Sequence, residues 1–143
     1  MSKRMQVEFE ENVLTATQFL TLRESIGWTG KLHQIEKAIE KGLYNIIAKD
    51  EGRIIGMGRL VGDGIMYWYM QDVIILPQYQ GKGIGKQMVE RMLQYIQQNS
   101  MSGTTATVGL MAAQGKEPFY EKWDFIIRPN EKMGAGMIKH IIC

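Results

Sequence analysis

The sequence contains a single cysteine, Cys143, and it is the last residue. A lone thiol excludes an intrachain disulfide, and no Cys or His residues stand at zinc-ligand spacing, so the chain suits a reducing compartment. Excess charge of either sign is equally scarce. Lys and Arg number 17 against 15 Asp and Glu, a formal net charge of +2, with no run of basic residues. That is too little to argue for nucleic acid, and any basic function must be local to a few side chains. No apolar stretch follows the opening Met-Ser-Lys-Arg-Met-Gln, so neither a signal peptide nor a membrane anchor is expected, and the cytoplasm is the expected location. Repeats, low-complexity tracts and linkers are missing too, which predicts one domain over residues 1–143. What is present is ordinary globular composition, 45% hydrophobic and 22% charged, in a chain long enough to bury a core. The 11 methionines read as adaptable core filler.

Apolar periodicity places the elements. Val7–Phe9 reads as a short strand. Phe19, Leu22 and Ile26 share one helical face between Thr15 and Ile26, closed by Gly27. Leu32, Ile35, Ala38 and Ile39 predict a second helix ending at Gly42. Tyr44–Ala48 and Ile54–Val61 read as strands joined through Asp50-Glu51-Gly52, a hairpin signal. Gly62-Asp63-Gly64 then turns into a long strand, Ile65–Leu76, completing an antiparallel meander. Ile84, Met88, Met92 and Ile96, with Val89 and Leu93 beside them, predict a helix with a broad apolar face. Thr104–Leu110 follows as a strand; a helical crossover precedes it, so it should run parallel to Ile65–Leu76. Pro118 suits the first turn of a short helix carrying Phe119, Tyr120 and Trp123. Phe125–Arg128 and Met137–Ile142 are predicted to close the sheet. The expected fold is α/β (α+β), a mixed, mostly antiparallel central sheet of about six to seven strands flanked by about four helices.

Residues 73–85, Val-Ile-Ile-Leu-Pro-Gln-Tyr-Gln-Gly-Lys-Gly-Ile-Gly, carry the chemistry. A strand-type run ends at Pro77, and a glycine-rich turn opens directly into the amphipathic helix. The first backbone N–H groups of a helix have no intrahelical partner and the dipole there favours negative charge, so such a turn can cradle phosphate. A P-loop is excluded, because Gln87 follows Gly85-Lys86 where Ser or Thr is needed and Gln80 stands in place of the first glycine. The dinucleotide fingerprint G-x-G-x-x-G also fails, since Gly81 and Gly83 lead to Lys86, and Gly83 and Gly85 lead to Met88. What remains is Gln80-Gly81-Lys82-Gly83-Ile84-Gly85, a Gln/Arg-x-x-Gly-x-Gly pattern. The bland alternative is a left-handed turn joining strand to helix with no ligand.

This segment resembles the acetyl-CoA pyrophosphate loop of the GNAT superfamily of N-acetyltransferases. A second motif agrees: Gly115-Lys116-Glu117-Pro118-Phe119-Tyr120-Glu121-Lys122-Trp123-Asp124-Phe125 resembles the family's Phe-Tyr-Glu-Lys-x-Gly-Phe segment. Asp124 stands where glycine is usual, and Ala113 where the family often has asparagine. Leu22-Arg23-Glu24-Ser25-Ile26-Gly27-Trp28 is similar to the acceptor-side helices of small-amine members. The resemblance spans roughly Tyr44 to Phe125 and implies a parallel strand pair splayed at a bulge. The pantetheine arm would pair with the backbone of Val73, Ile74 and Ile75. It also implies that Gln80, Gly81, Lys82, Gly83, Ile84, Gly85 and Lys86 hold the pyrophosphate, with charge from the two lysines. Strand N–H groups near the acyl carbonyl would serve as an oxyanion hole.

The same resemblance makes Tyr120 the expected general acid and a contact of the coenzyme. A phenol of pKa about 10 keeps its proton at neutral pH and can pass it to a thiolate whose thiol has a pKa of about 8.5. Taken alone, without the resemblance, a tyrosine after Phe119 reads as core. A base is also called for, since freeing an alkylamine of pKa about 10.4 at pH 7 costs on the order of 4–5 kcal/mol. Asp72, before the cradle, is the candidate; an aspartate tying a bulge together is the alternative. Glu24 is a second choice, and His33 and His140 read as surface or packing residues. Trp28, Tyr67 and Tyr69 are candidates for the acceptor pocket, with strand alternation placing Tyr67, Tyr69 and Gln71 on one face and Trp68 on the other.

These readings predict an N-acetyltransferase that takes acetyl-CoA as donor and passes its acetyl group to a primary amine of a small molecule by direct attack. No cysteine lies near the motifs to carry the acyl group. The expected partner is therefore a small amine, with no nucleic acid, membrane or metal. Pairing of Met137–Ile142 across a homodimer is a further expectation. A coenzyme-binding sensor module and a protein N-acetyltransferase are the competing readings. Among acceptors, polyamine, aryl-alkylamine, amino sugar and aminoglycoside all stay open, because specificity lies in loops.

Overall fold

In the computed structural model, which describes residues 5–143, the meander forms as the turn chemistry demands. Strand β1 (Val7–Glu11) precedes helices α1 (Ala16–Ser25) and α2 (Leu32–Lys41). Strands β2 (Tyr44–Asp50), β3 (Arg53–Gly62) and β4 (Tyr67–Ile75) follow, then α3 (Ile84–Asn99), β5 (Thr107–Leu110) and α4 (Glu117–Glu121). The five strands lie in the order β1-β2-β3-β4-β5. Pairing is antiparallel from β1 through β4, and β5 runs parallel to β4. Glu51 and Gly52 take φ of 50° and 82° between the paired Asp50 and Arg53, the left-handed pair that a two-residue hairpin requires.

Local capping sets the element ends. The Thr15 hydroxyl accepts from Gln18 N while Gln18 Oε1 accepts from Thr15 N, a reciprocal box that starts α1. Asp63 Oδ1 accepts from the backbone N–H groups of Ile65, Met66 and Tyr67 at 2.8, 2.9 and 2.9 Å. Those bonds, the one from Tyr67 foremost, hold the Asp63 carboxyl below its ordinary pKa. They also explain why β4 starts at Tyr67 and not at Ile65 as predicted: Ile65 and Met66 spend their amides on the turn.

Helix α3 covers one face of the sheet. Ile84, Met88, Val89, Met92 and Ile96 are buried, at spacings of three and four residues, and together contribute on the order of 10 kcal/mol of gross burial energy. Tyr95 stacks on Tyr44 of β2 with ring centroids 4.3 Å apart, and Trp68 Nε1 donates to Ser100 Oγ at 3.1 Å, which fixes the far end of α3 to β4. The other face takes α1 and α2 through Phe19, Leu22 and Ile35.

The chain divides into two compact units, one running to Gly109 and the other from Leu110 to Cys143. Among the described residues the sheet has five strands, not the six to seven predicted. In the second unit Phe125–Arg128 and Met137–Ile142 are not strands. Asn130 closes this region into a loop: its Oδ1 accepts from Lys132 N and Met133 N, and Arg128 Nε donates to the carbonyl of Gly134 at 2.7 Å. Apolar composition supplies only half of a strand, and the ladder needs a partner. Met137 and Ile142, 87% and 101% exposed, have the composition without one. Among the described residues no helix is long and apolar enough to cross a membrane.

Candidate active site

The cradle is built by the handover from β4 to α3. A short 3-10 turn, Pro77–Tyr79, follows the strand, and the Gln80 amide donates to the Ile75 carbonyl at 3.0 Å, which ties the loop to the strand end. Tyr79 OH donates to Asp50 Oδ2 at 2.8 Å and anchors the outer side. Gly81 and Gly83 take φ of 76° and 84°, and Gly83 is the N-cap of α3 without a side-chain cap. A Cβ added at either glycine would meet nothing within 4 Å, so conformation, and not crowding, demands glycine, and the space above stays open. The first intrahelical bond runs from Gln87 N to Gly83 O, which leaves the amides of Ile84, Gly85 and Lys86 ahead of it. Those amides, at the positive end of the helix dipole, could hold a diphosphate. Lys82 and Lys86 are exposed beside them; Lys86 Nζ lies 4.0 Å from Glu90.

Upstream, β4 carries a bulge. Met57 faces Ile74 and Arg59 faces Gln71, so Asp72 and Val73 together oppose one residue of β3. Asp72 has φ of 52°, a conformation that aspartate tolerates better than most side chains. The bulge breaks alternation and turns Asp72 to the same side as Gln71, under α1 and α2. There its side chain, 3% exposed, accepts from Arg23 Nη1 at 3.1 Å and from Arg59 Nε at 3.2 Å. Both guanidinium groups also lie over the Phe19 ring, at 5.8 and 5.1 Å from its centroid. The Asp72 carboxylate thus holds two arginines in place. Arg59→Met should destabilise the fold by about 2–3 kcal/mol, less than breaking a fully buried pair because Arg23 still partners Asp72. Urea midpoints of the two proteins give the difference.

These residues line a cavity of about 530 Å³, within the range for small-molecule sites, with Phe19, Thr29, Gln34, Tyr69 and Gln71. Burial pushes the Tyr69 phenol above its ordinary pKa, so it stays protonated. Of the candidates for this pocket, Tyr69 lines it. Tyr67, 57% exposed, and Trp28, 45% exposed with its ring under Arg23 at 5.1 Å, are not in the lining. A larger cavity of about 600 Å³ lies between the end of α3 and β5, but no titratable side chain lines it. Arg59 had no place in the sequence-based site, and Arg23 entered it only as part of the segment from Leu22 to Trp28. The available signal was Arg59 itself, one charge inside the apolar run Ile54–Val61.

In the second unit, the Tyr120 ring sits edge-on to Phe119 and Phe125, with centroids 5.0 and 5.9 Å away. Burial raises its phenol above the ordinary tyrosine value. Asp124 has φ of 65°, which explains the family's usual glycine there and shows that aspartate keeps the turn. Glu24, His33 and His140 are exposed, and no group of three or more metal-ligating side chains occurs among the described residues.

A strand, a glycine loop and an open helix N-terminus follow one another in the order that the resemblance to acetyltransferases implied. The family model for the GNAT acetyltransferase domain matches residues 41–127, and the chain belongs to that family as an N-acetyltransferase. Membership implies acetyl-CoA as donor. The chain is similar to an uncharacterized N-acetyltransferase, ycf52, of Pyropia yezoensis, 26% identical over 140 residues covering 90% of this chain and 78% of the relative. Two solved structures are similar throughout. One is a Staphylococcus aureus protein of unknown function described as a probable acetyltransferase, at 27% identity and a TM-score of 0.82, covering 94% of this chain and all of that one. The other is a GNAT-family acetyltransferase of Streptococcus pneumoniae, at 27% identity and a TM-score of 0.80, covering 95% and 98%.

Proposed function

We propose that the protein acetylates a primary amine on a small molecule, by direct attack of the amine while donor and acceptor are bound together. The observation that carries this reading is the pairing of an open glycine cradle with a half-open cavity, lined in part by charged and polar side chains, along the same strand, β4. When bound, the coenzyme supplies the activated acetyl thioester. The amides of Gly81 to Lys86 grip its diphosphate, with Lys82 and Lys86 adding charge. The backbone of Val73, Ile74 and Ile75, which starts at the bulge formed by Asp72 and Val73, pairs with the pantetheine arm.

Tyr120 holds its proton through neutral pH and delivers it to the sulfur released when the amine takes the acetyl group. Its raised pKa supports that role by keeping the phenol charged with a proton well into the alkaline range. Asp72, committed to two guanidinium groups, acts as a positioning residue in this reading, and the amine loses its proton to water in the cavity. The one cysteine, Cys143, stands outside both motifs in the sequence, which favours direct transfer over an acyl-enzyme. The cytoplasm is the proposed location.

Incubation with acetyl-CoA and a panel of primary amines should release free CoA only when an accepted amine is present. Tight coenzyme binding with no release across small amines and peptides would overturn the reading in favour of a binding module.

A further inference from the structure

The cavity under α1 and α2 carries more positive charge than its own fold uses. Its lining includes two arginines, Arg23 and Arg59, against one carboxylate, Asp72. Each oxygen of that carboxylate accepts a single N–H, one from each guanidinium. Arg59 gives a further, long bond to the Ala38 carbonyl at 3.4 Å, and Arg23 Nε donates to the Thr29 carbonyl at 3.0 Å. A guanidinium has five N–H donors, so both arginines keep donors to spare. Among the described residues no protein acceptor meets the Nη2 group of either one.

Neither arginine is a loose surface side chain. Arg59 is 11% exposed at the side chain and Arg23 is 27% exposed, and both lie over the Phe19 ring. An uncompensated guanidinium held in a semi-enclosed site costs free energy unless a counter-charge arrives. A forked donor held rigid is matched to a carboxylate or phosphate, which accepts two parallel N–H bonds. The neutral donors of Gln71 and the protonated Tyr69 phenol lie in the same lining and can complete the shell.

We infer that the acceptor of this enzyme is an amine that also carries an oxyanion, a carboxylate or a phosphate, seated on Arg23 and Arg59. This rests on the reading of the cavity as the acceptor site. It removes polyamines and aminoglycosides from the field, since their added positive charges would face two guanidinium groups across one cavity.

The test uses matched pairs that differ only in the anion: phenylalanine against phenethylamine, and glucosamine 6-phosphate against glucosamine, with spermidine as the polycation. Calorimetry on the protein, with and without saturating CoA, reads affinity independently of turnover. The anionic member of at least one pair should bind about tenfold tighter or more than its neutral partner, and the pair that responds identifies carboxylate or phosphate. Arg23→Gln should shrink that ratio to about threefold or less, and Arg23→Lys should restore part of it, since a point charge replaces the fork. Equal affinities within every pair, spermidine as the tightest ligand, or no binding by any of them would overturn the inference. If Arg23→Gln fails to fold, the wild-type pairs still decide. Failure of the acetyltransferase reading shows separately, as absence of CoA binding in the same titrations.

Discussion

Tyr120→Phe should lower kcat by about a hundredfold or more while the affinity for CoA holds within about threefold. The substitution removes one oxygen and leaves the ring, so the packing against Phe119 and Phe125 survives. On the proposed function, what is lost is the proton donor for the departing sulfur, a group used only as the thioester breaks. An effect confined to kcat is therefore the signature. The pH profile adds an independent check. Burial disfavours the phenolate, so the folded pKa lies above the ordinary value of about 10 and the acid form persists up to it. Wild-type kcat should show no fall due to this group between pH 7 and about 10, with the loss on the alkaline side of that range. An unchanged kcat in Tyr120→Phe would remove Tyr120 from the chemistry.

Gly83→Asp should weaken CoA binding by about thirtyfold to a thousandfold, equivalent to about 2–4 kcal/mol, and leave the protein folded. Two effects act together. Aspartate is among the few residues that tolerate the left-handed conformation that Gly83 adopts at φ of 84°, and no atom lies within 4 Å of its Cβ, so the fold has room for it. Its carboxylate would then occupy the positive end of α3 and compete for the amides of Gly85 and Lys86. The same geometry that keeps the helix intact thus blocks the diphosphate. Titration calorimetry with CoA measures the loss, and a thermal melt reports the fold. Full-strength binding would detach the coenzyme from this loop.

Much of the molecule could be read from the chain because the deciding interactions are local. The face of α3 follows from Ile84, Met88, Met92 and Ile96 alone. The hairpin at Glu51-Gly52 follows from two residues that accept positive φ. The cradle is also local: glycines at 81 and 83, then a helix start. The cavity under α1 and α2 was far less legible. Arg23 and Asp72 lie 49 positions apart, and nothing near either one signals the other. Strand alternation correctly grouped Tyr69 with Gln71, yet it could not bring Asp72 to the same face, because that requires the bulge. The two expected C-terminal strands failed for a related reason. Phe125–Arg128 and Met137–Ile142 have strand composition, but composition does not provide a neighbour.

By itself, the sequence determined the family, the order of the elements through β5 and the conformation of the glycine loop, all of them set by residues adjacent in the chain or one helical turn apart. Only the tertiary structure decided the charge of the cavity under α1 and α2 and, among the described residues, the five-strand limit of the sheet. Both depend on which distant backbone and side-chain groups meet, and hydrogen bonds and ion pairs of that kind form after the chain has folded back on itself.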